Sequence, residues 1–316
     1  MASPNRVKLL ASVGFVSLCY VLSSLIEESL YRYSVHGIGR FTATSFLLFF
    51  LCLVNVVVAV IGMIVFRRSW RVPSTAQSIT VGFSYVGAMY FANESLQYLS
   101  YPTQVLGKSC KMIPVMWIGF LNRGKSYGVR EAMYVLLITL GVNLFLRGGS
   151  SEPDVYGLVL LFLSLVLDGI TSATQDQLQA EFHLTTHELM FFVNFWGCIL
   201  SFILAVITGQ GNNGFYYCSE NPIVLWYITS MAVASAMGQN FIFYMISNVN
   251  TLTLSAVTTL RKLITFVFSI VVFKHNLYSL QWLGVVFVFG GLVYELVGRG
   301  GDLMLQYDRL WSHKKR

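Results

Sequence analysis

Ten long apolar runs narrow the fold of this chain more sharply than any other feature. They fall at about 8–26, 43–66, 76–98, 102–122, 128–146, 155–175, 187–208, 224–247, 251–273 and 279–298. Each is roughly 20 residues long, enough to cross a hydrocarbon core of about 30 Å as a helix. With 55% hydrophobic and only 11% charged residues, and a mean hydropathy of +0.65, the 316-residue chain cannot present such a surface to water. The fold class expected is therefore an all-α integral membrane protein with ten transmembrane helices. The connections near Pro102 and Asn250 are short enough to require tight hairpins.

Arg6 and Lys8 precede the first run as in a signal peptide, but no small-residue cleavage site follows, so an uncleaved first helix is expected. Loop charge then sets orientation. With a cytosolic N-terminus, one side collects Arg6, Lys8, Arg67, Arg68, Arg71, Arg123, Lys125, Arg130, Arg299, Arg309, Lys314, Lys315 and Arg316. The other holds Arg32, Arg40, Arg147 and Lys274, and the asymmetry puts both termini in the cytosol. The net charge of +7 is mostly this topology signal. Its scatter over loops forms no basic stripe with interleaved aromatics, so no nucleic-acid partner is expected.

Of 21 Lys and Arg, those seventeen leave Lys108, Lys111, Arg261 and Lys262, all inside apolar runs. Lys108 and Lys111 are three residues apart and share a helix face with Gln104. Arg261 and Lys262 are adjacent in the ninth run, one turn after Thr258 and Thr259. A central Lys or Arg costs about 2.5 to 3.5 kcal/mol to insert, so four unpaired ones would cost on the order of 10 kcal/mol. They must face a wet or partnered interior. Two readings follow: ion pairs with Glu28, Glu94, Asp168 and Asp176, or an anion site on a substrate path.

Sliding "YPTQVLGKSCKMIPV" (101–115) over "LTLSAVTTLRKLITF" (252–266) puts Lys111 on Lys262 and Gly107 and Lys108 on Thr258 and Thr259. The fourth run thus matches the ninth, as two five-helix halves require. An odd number of spans per half makes the halves inverted, with a site near the midplane as in alternating-access transporters. The organisation expected is one transporter domain over 1–316, with repeat one at 1–150, repeat two at 151–300 and a cytosolic tail at 301–316. A doubled basic cluster suits a doubled anion such as a diphosphate.

The order "YPTQVLGKSCKMIPV", "LDGITSATQD" (167–176), "SAMGQNFIF" (235–243) and "TTLRKLITF" resembles the nucleotide-sugar transporter family of the drug/metabolite transporter superfamily. It is most similar to the endoplasmic-reticulum branch of UDP-galactose transporter homologues, for which ATP/ADP exchange has also been proposed. The likeness spans all ten runs, is specific in these four stretches, and is looser in the first, second and seventh runs. It implies that Lys108, Lys111, Arg261 and Lys262 hold the phosphates, with a planar fork from Arg261 and mobile point charges from the lysines. Gln104, Ser109 and Gln239 are implied secondary contacts. Glu28, in "LIEESL", is expected as the counter-ion of one lysine in the empty carrier, or else as a cap at the end of the first helix. Family members of this branch tend to carry Gln-Glu there, so the departure is Glu27.

Other motifs carry less. "GKS" at 107–109 lacks the first glycine of a phosphate loop, since Pro102 stands in its place, and an ATPase is not expected. His183 and His187 in "HLTTHE" lack the zinc-protease order, and Cys19, Cys52, Cys110, Cys198 and Cys218 have neither disulfide nor ligand spacing. No metal and no cofactor are expected. Asn93-Glu94-Ser95 fits a glycosylation triplet but falls inside the third run. Gly87, Gly107, Gly238, Gly290 and Gly291 suit close helix crossings or hinges, and Pro114 suits a kink.

The tail ends in a sequence similar to a dilysine retrieval signal. It departs from it, because Lys314 stands third from the end while His313 and Ser312 occupy the fourth and fifth places. Endoplasmic-reticulum residence is what the branch implies, with the Golgi open. The function expected is antiport of a nucleotide or nucleotide sugar, ATP/ADP or a UDP-sugar such as UDP-galactose, in a lipid bilayer and with no chemistry on the cargo. The alternatives are a carrier of another phosphorylated organic anion, a membrane enzyme, or a structural partner protein without transport. Base, sugar, stoichiometry, proton coupling and oligomeric state are not legible in the sequence.

Overall fold

A computed structural model describes residues 6–32, 34–35, 39–66, 71–111, 113–114, 116, 128–149, 154–248, 251–274 and 277–314. The helices are α1 (Arg6–Arg32), α2 (Thr44–Val65), α3 (Thr75–Ser95), α4 (Tyr101–Gly107), α5 (Val129–Arg147), α6 (Val155–Phe182), α7 (Thr186–Ile207), α8 (Gln210–Glu220), α9 (Pro222–Asn248), α10 (Thr251–Phe273) and α11 (Ser279–Lys314). Each of the ten apolar runs carries helix. A backbone in hydrocarbon must satisfy its own N–H and C=O groups, and a helix does so within one segment. Among the described residues, α2, α5, α6, α7 and the Ser279–Gly298 part of α11 are long and apolar enough to cross a membrane. The cation-bearing α4 and α10 are not among these five.

The expected hairpin at Asn250, the end of the fourth run at 117–122, and the loop cations Arg67, Arg68, Arg123, Lys125, Lys315 and Arg316 lie outside the described residues. The hairpin before Pro102 is present: Leu96 to Leu99 turn back on carbonyls of Asn93, Glu94 and Ser95, and Pro102 sits in the first turn of α4, where its missing N–H costs nothing. Helix α11 runs on to Lys314, through most of the residues expected as the tail.

Two elements escape a hydropathy reading. Strands β1 (Ser34–Val35) and β2 (Gly39–Arg40) pair antiparallel after α1. Helix α8 is too polar to register as an apolar run, yet it has a structural task. The side-chain oxygen of Gln210 accepts from the backbone N–H of Ser45 at 2.8 Å and from its hydroxyl at 2.5 Å, satisfying the first turn of α2, which Ala43 leaves uncapped. At the opposite end of the molecule Thr185 and Glu188 form a capping box on α7, and Glu188 also accepts from the backbone N–H of Arg71 at 2.8 Å.

Helices pack as α5 on α11, α2 on α7, α3 on α6 and α7, and α1 on α9 and α10, with α9 also against α2. Polar side chains are buried alongside an apolar core, and large apolar ones cover the flanks. Asn55, Asn194, Gln239 and Ser269 are buried, while Ile64, Val65, Val271 and Val286 are exposed on the flanks. Close crossings use small residues where lipid offers no hydrophobic drive. A Cβ on Gly141 would lie 2.7 Å from the carbonyl oxygen of Gly284, so α5 and α11 touch backbone to backbone. Of the five glycines singled out in the sequence, Gly87, Gly107, Gly238 and Gly291 face side chains of a neighbouring helix, and Gly290 faces open space.

Candidate functional site

The chain between Lys108 and Lys111 leaves α-helical geometry. Helix α4 is only seven residues long and tightens into a 3-10 turn, Lys108–Lys111. Such mid-helix turns have poorer hydrogen bonding and free backbone groups for other partners. Here the carbonyl of Lys108 accepts from the Nζ of Lys262, at 3.3 Å, across from α10. The basic stretches of the fourth and ninth runs therefore meet, as their matching positions imply.

A cavity of about 200 Å³ lies at this meeting point. Lys108, Arg261 and Lys262 line it, with Gln104 from α4 and Asn93 from α3. Among the described residues no carboxylate pairs with Arg261, and its guanidinium carbon lies 4.2 Å over the ring of Tyr20 from α1. A cation above an aromatic face gains about 0.5 to 2 kcal/mol without surrendering its charge. Tyr20 reaches that position because Gly238 of α9 leaves room, a Cβ there coming within 2.7 Å of the ring. The Nε of Arg261 is buried with no hydrogen-bond partner, an open donor beside the cavity.

Lys111 is differently placed. Its Nζ donates to the Oγ of Ser172 at 2.7 Å and lies 3.4 Å from Asp168, both on α6. The ion-pair reading is thus realised for this lysine, and it is not among the cavity-lining residues.

Of the secondary contacts, Gln104 is buried on the lining and donates to the carbonyl of Ala92 at 2.5 Å. Ser109 is buried and donates back to Val105 within its own helix, off the lining. Gln239 sits in a buried polar ladder. Asn55 donates to Asn194 at 3.0 Å, Asn194 to Gln239 at 3.1 Å and Gln239 to the hydroxyl of Tyr85 at 2.6 Å, joining α2, α7, α9 and α3.

Of the two places expected for Glu28, the structure shows the one at the end of the first helix. Glu28 accepts from Ser269 at 2.6 Å and lies 3.1 Å from Arg32, one turn on, so it pairs toward the end of α1 and is not on the cavity lining. Its neighbour Glu27 lines the cavity instead. With the Asn93 amide assigned as donor, Asn93 meets Glu27 at 3.0 Å. Glu27 and Lys108, of opposite charge, share the lining and attract one another. The signal for Glu27 was in the sequence: Tyr20, Ser24 and Glu27 recur at helical spacing and all three line the cavity.

Glu94 accepts from Thr44 at 2.9 Å. His187 stacks on Phe66 with centroids 5.4 Å apart. All five cysteines are free thiols. The lining thus brings together three cations and one carboxylate.

The family model of the UAA transporter family matches residues 8–299. Solute carrier family 35 member B1 of Xenopus tropicalis is 36% identical over 88% of this chain and 89% of its own. The Gallus gallus protein of the same name is 35% identical over 92% of each chain. The Drosophila melanogaster homologue is 32% identical over 94% of this chain and 92% of its own. A solved crystal structure, 11% identical in sequence, superposes with a TM-score of 0.58 over 88% of this chain and 97% of that one, a likeness of fold. The chain belongs to the UAA transporter family of nucleotide-sugar transporters, and it is a membrane transporter, not an enzyme.

Proposed function

We propose that this protein is a secondary antiporter that exchanges a nucleotide or nucleotide sugar, ATP/ADP or a UDP-sugar such as UDP-galactose, across the endoplasmic-reticulum membrane. The observation that carries this reading is the convergence of Lys108, Arg261 and Lys262 on one cavity, with the Arg261 Nε unpartnered. Cations that served only the scaffold would each be paired, because an unmatched charge in lipid is expensive. Lys111 meets that description; among the described residues no carboxylate bonds Arg261 or Lys262, and Lys108 shares the cavity lining with Glu27.

Exchange in this reading rests on two inverted five-helix repeats, 1–150 and 151–300, rocking about the cavity with both termini cytosolic. Helix packing supports it. Swapping the halves pairs α1 with α6, α2 with α7, α3 with α9, α4 with α10 and α5 with α11. Under that swap the α3–α6 contact becomes α1–α9, α3–α7 becomes α2–α9, and α1–α10 becomes the contact of α6 with the 3-10 turn. The α2–α7 and α5–α11 contacts map onto themselves. Gln104 then supplies a neutral hydrogen bond beside the phosphates, Ser109 and Gln239 support the walls, and Lys111 stays paired with Asp168 off the lining.

The test is uptake into proteoliposomes preloaded with candidate nucleotides, using a panel of labelled nucleotide sugars and ATP. Saturable uptake that requires preload is expected. Uptake that ignores preload, or survives Lys262→Ala unchanged, overturns the reading.

A further inference from the structure

We infer that a groove between α1 and α9 binds one acyl chain of a membrane phospholipid, held against the outside of the wall that encloses the cation-lined cavity. The groove has a volume of about 560 Å³, within the range of ordinary small-molecule sites. Leu18 and Leu22 of α1 form one side and Val233 and Met237 of α9 the other, all exposed, with Cys19, Ser230 and Ala234 between them. The two helices run antiparallel: the rings of Phe15 and Phe241 lie 5.1 Å apart, and Tyr20 fits over Gly238. Other faces of the same helices give Tyr20, Ser24 and Glu27, and Met231 and Ser235, to the cavity. One helix pair thus stands between the cavity and the bilayer.

Chemistry, length and width select the occupant. The hydroxyls of Thr229 and Ser230 in the groove donate to their own helix, to the Leu225 carbonyl at 2.8 Å and the Trp226 carbonyl at 2.6 Å, so the surface offers little to water, which needs several polar partners. From Phe15 to Ile26, or from Met237 back to Trp226, the groove runs about 16 Å at 1.5 Å per residue. Half of a hydrocarbon core of about 30 Å is about 15 Å, the depth of a chain from one leaflet. Trp226, 70% exposed at the end where α1 finishes and α9 begins, marks the headgroup level, where indole rings collect. A helix of a second copy is about 10 Å across, whereas a Cβ on Gly238 would already lie 2.7 Å from Tyr20, so the furrow between the two backbones admits a thread and not a rod. Left unfilled, it would cost its walls their dispersion contacts. In the proposed repeat symmetry the equivalent seam is α3 on α6, and there protein does the filling. Ser164 donates across it to the Ala88 carbonyl at 2.8 Å and Thr171 to Ser84 at 2.9 Å, and Leu167 packs over Gly87.

The test is photolabelling of the full chain in vesicles of phosphatidylcholine and phosphatidylethanolamine that carry a trace of phosphatidylcholine with a diazirine in one acyl chain, followed by peptide mapping. Label on Leu18, Leu22 and Val233 is expected to exceed, several-fold, that on Val271 and Val286, which are at least as exposed on α10 and α11. Ala234→Phe fills the groove and should bring the excess down to the level of those flanks, with Val271 and Val286 labelled as before. Label no higher in the groove than on the flanks overturns the inference, whether the lipid there is ordinary bilayer solvent or a second copy, detected by cross-linking, covers it. An excess that vanishes when cholesterol is added makes the occupant a sterol and overturns it as well, as does an excess that survives Ala234→Phe. Should that variant fail to fold, the wild-type distribution and its response to cholesterol decide.

Discussion

Helices α4 and α10 carry the same charge but hold it in opposite ways. On α4 the helix breaks into a 3-10 turn, and its second lysine, Lys111, is paired with Asp168 and hydrogen-bonded to Ser172 of α6. On α10 the helix runs through from Thr251 to Phe273, and Arg261 rests on the face of Tyr20 from α1. In the proposed repeat symmetry α6 and α1 are equivalents, so the same neighbour supplies a carboxylate on one side and an aromatic ring on the other. A carboxylate cancels a charge, whereas a ring steadies it and leaves it available. The two halves therefore share an architecture but divide the labour: α10 presents cation to the cavity, and α4 presents one lysine while parking the other.

Removing a cavity cation should have the largest effect. Lys262→Ala deletes a charge that faces cargo, and with charged hydrogen bonds worth about 1.5 to 3 kcal/mol, initial uptake in proteoliposomes should fall about ten- to hundredfold. Lys108→Ala should match it. A loss confined to one of the two would break the claim that both helices serve one site.

The parked pair comes next. Lys111→Ala leaves Asp168 uncompensated near the cluster and should slow uptake by about tenfold. The double variant with Asp168→Asn should recover most of that loss, a coupling on the order of 1 kcal/mol in a double-mutant cycle. Additive losses would mean that Lys111 contacts cargo directly throughout the cycle.

Arg261→Lys keeps the charge but loses the planar fork and much of the stacking on Tyr20, and the half-saturating concentration should rise several-fold to about tenfold. Tyr20→Leu removes only the ring. With cation–π support worth about 0.5 to 1 kcal/mol, the same measurement should show a rise of about two- to fivefold. A larger loss from Tyr20→Leu than from Arg261→Lys would make Tyr20 a cargo contact in its own right.

The sequence made the helices legible because each apolar run is uniform enough to overwhelm local propensity, as the coincidence of Thr44–Val65 with the second run illustrates. Helix α8 and the Ser34–Val35 strand pair were hidden, since a polar helix that caps its neighbour through Gln210 leaves no hydropathy signal. At the site, the four cations stood out because charge in lipid is costly. Their division into three on the cavity and one paired with Asp168 did not, because it depends on which face of α6 brings Asp168 to Lys111. Which of Glu27 and Glu28 lines the cavity was hidden for a similar reason. Adjacent residues on a helix point about 100° apart, and only the packing of α1 between α9 and α10 decides which one enters the cavity.

The central claim is that positive side chains of α4 and α10 jointly bind the phosphates of a transported nucleotide. A structure solved with bound UDP-galactose tests it most directly. Phosphate oxygens within hydrogen-bond reach of Lys108, Arg261 and Lys262 are the predicted result. Density for the diphosphate elsewhere, with these three cations closed onto carboxylates, would contradict the account.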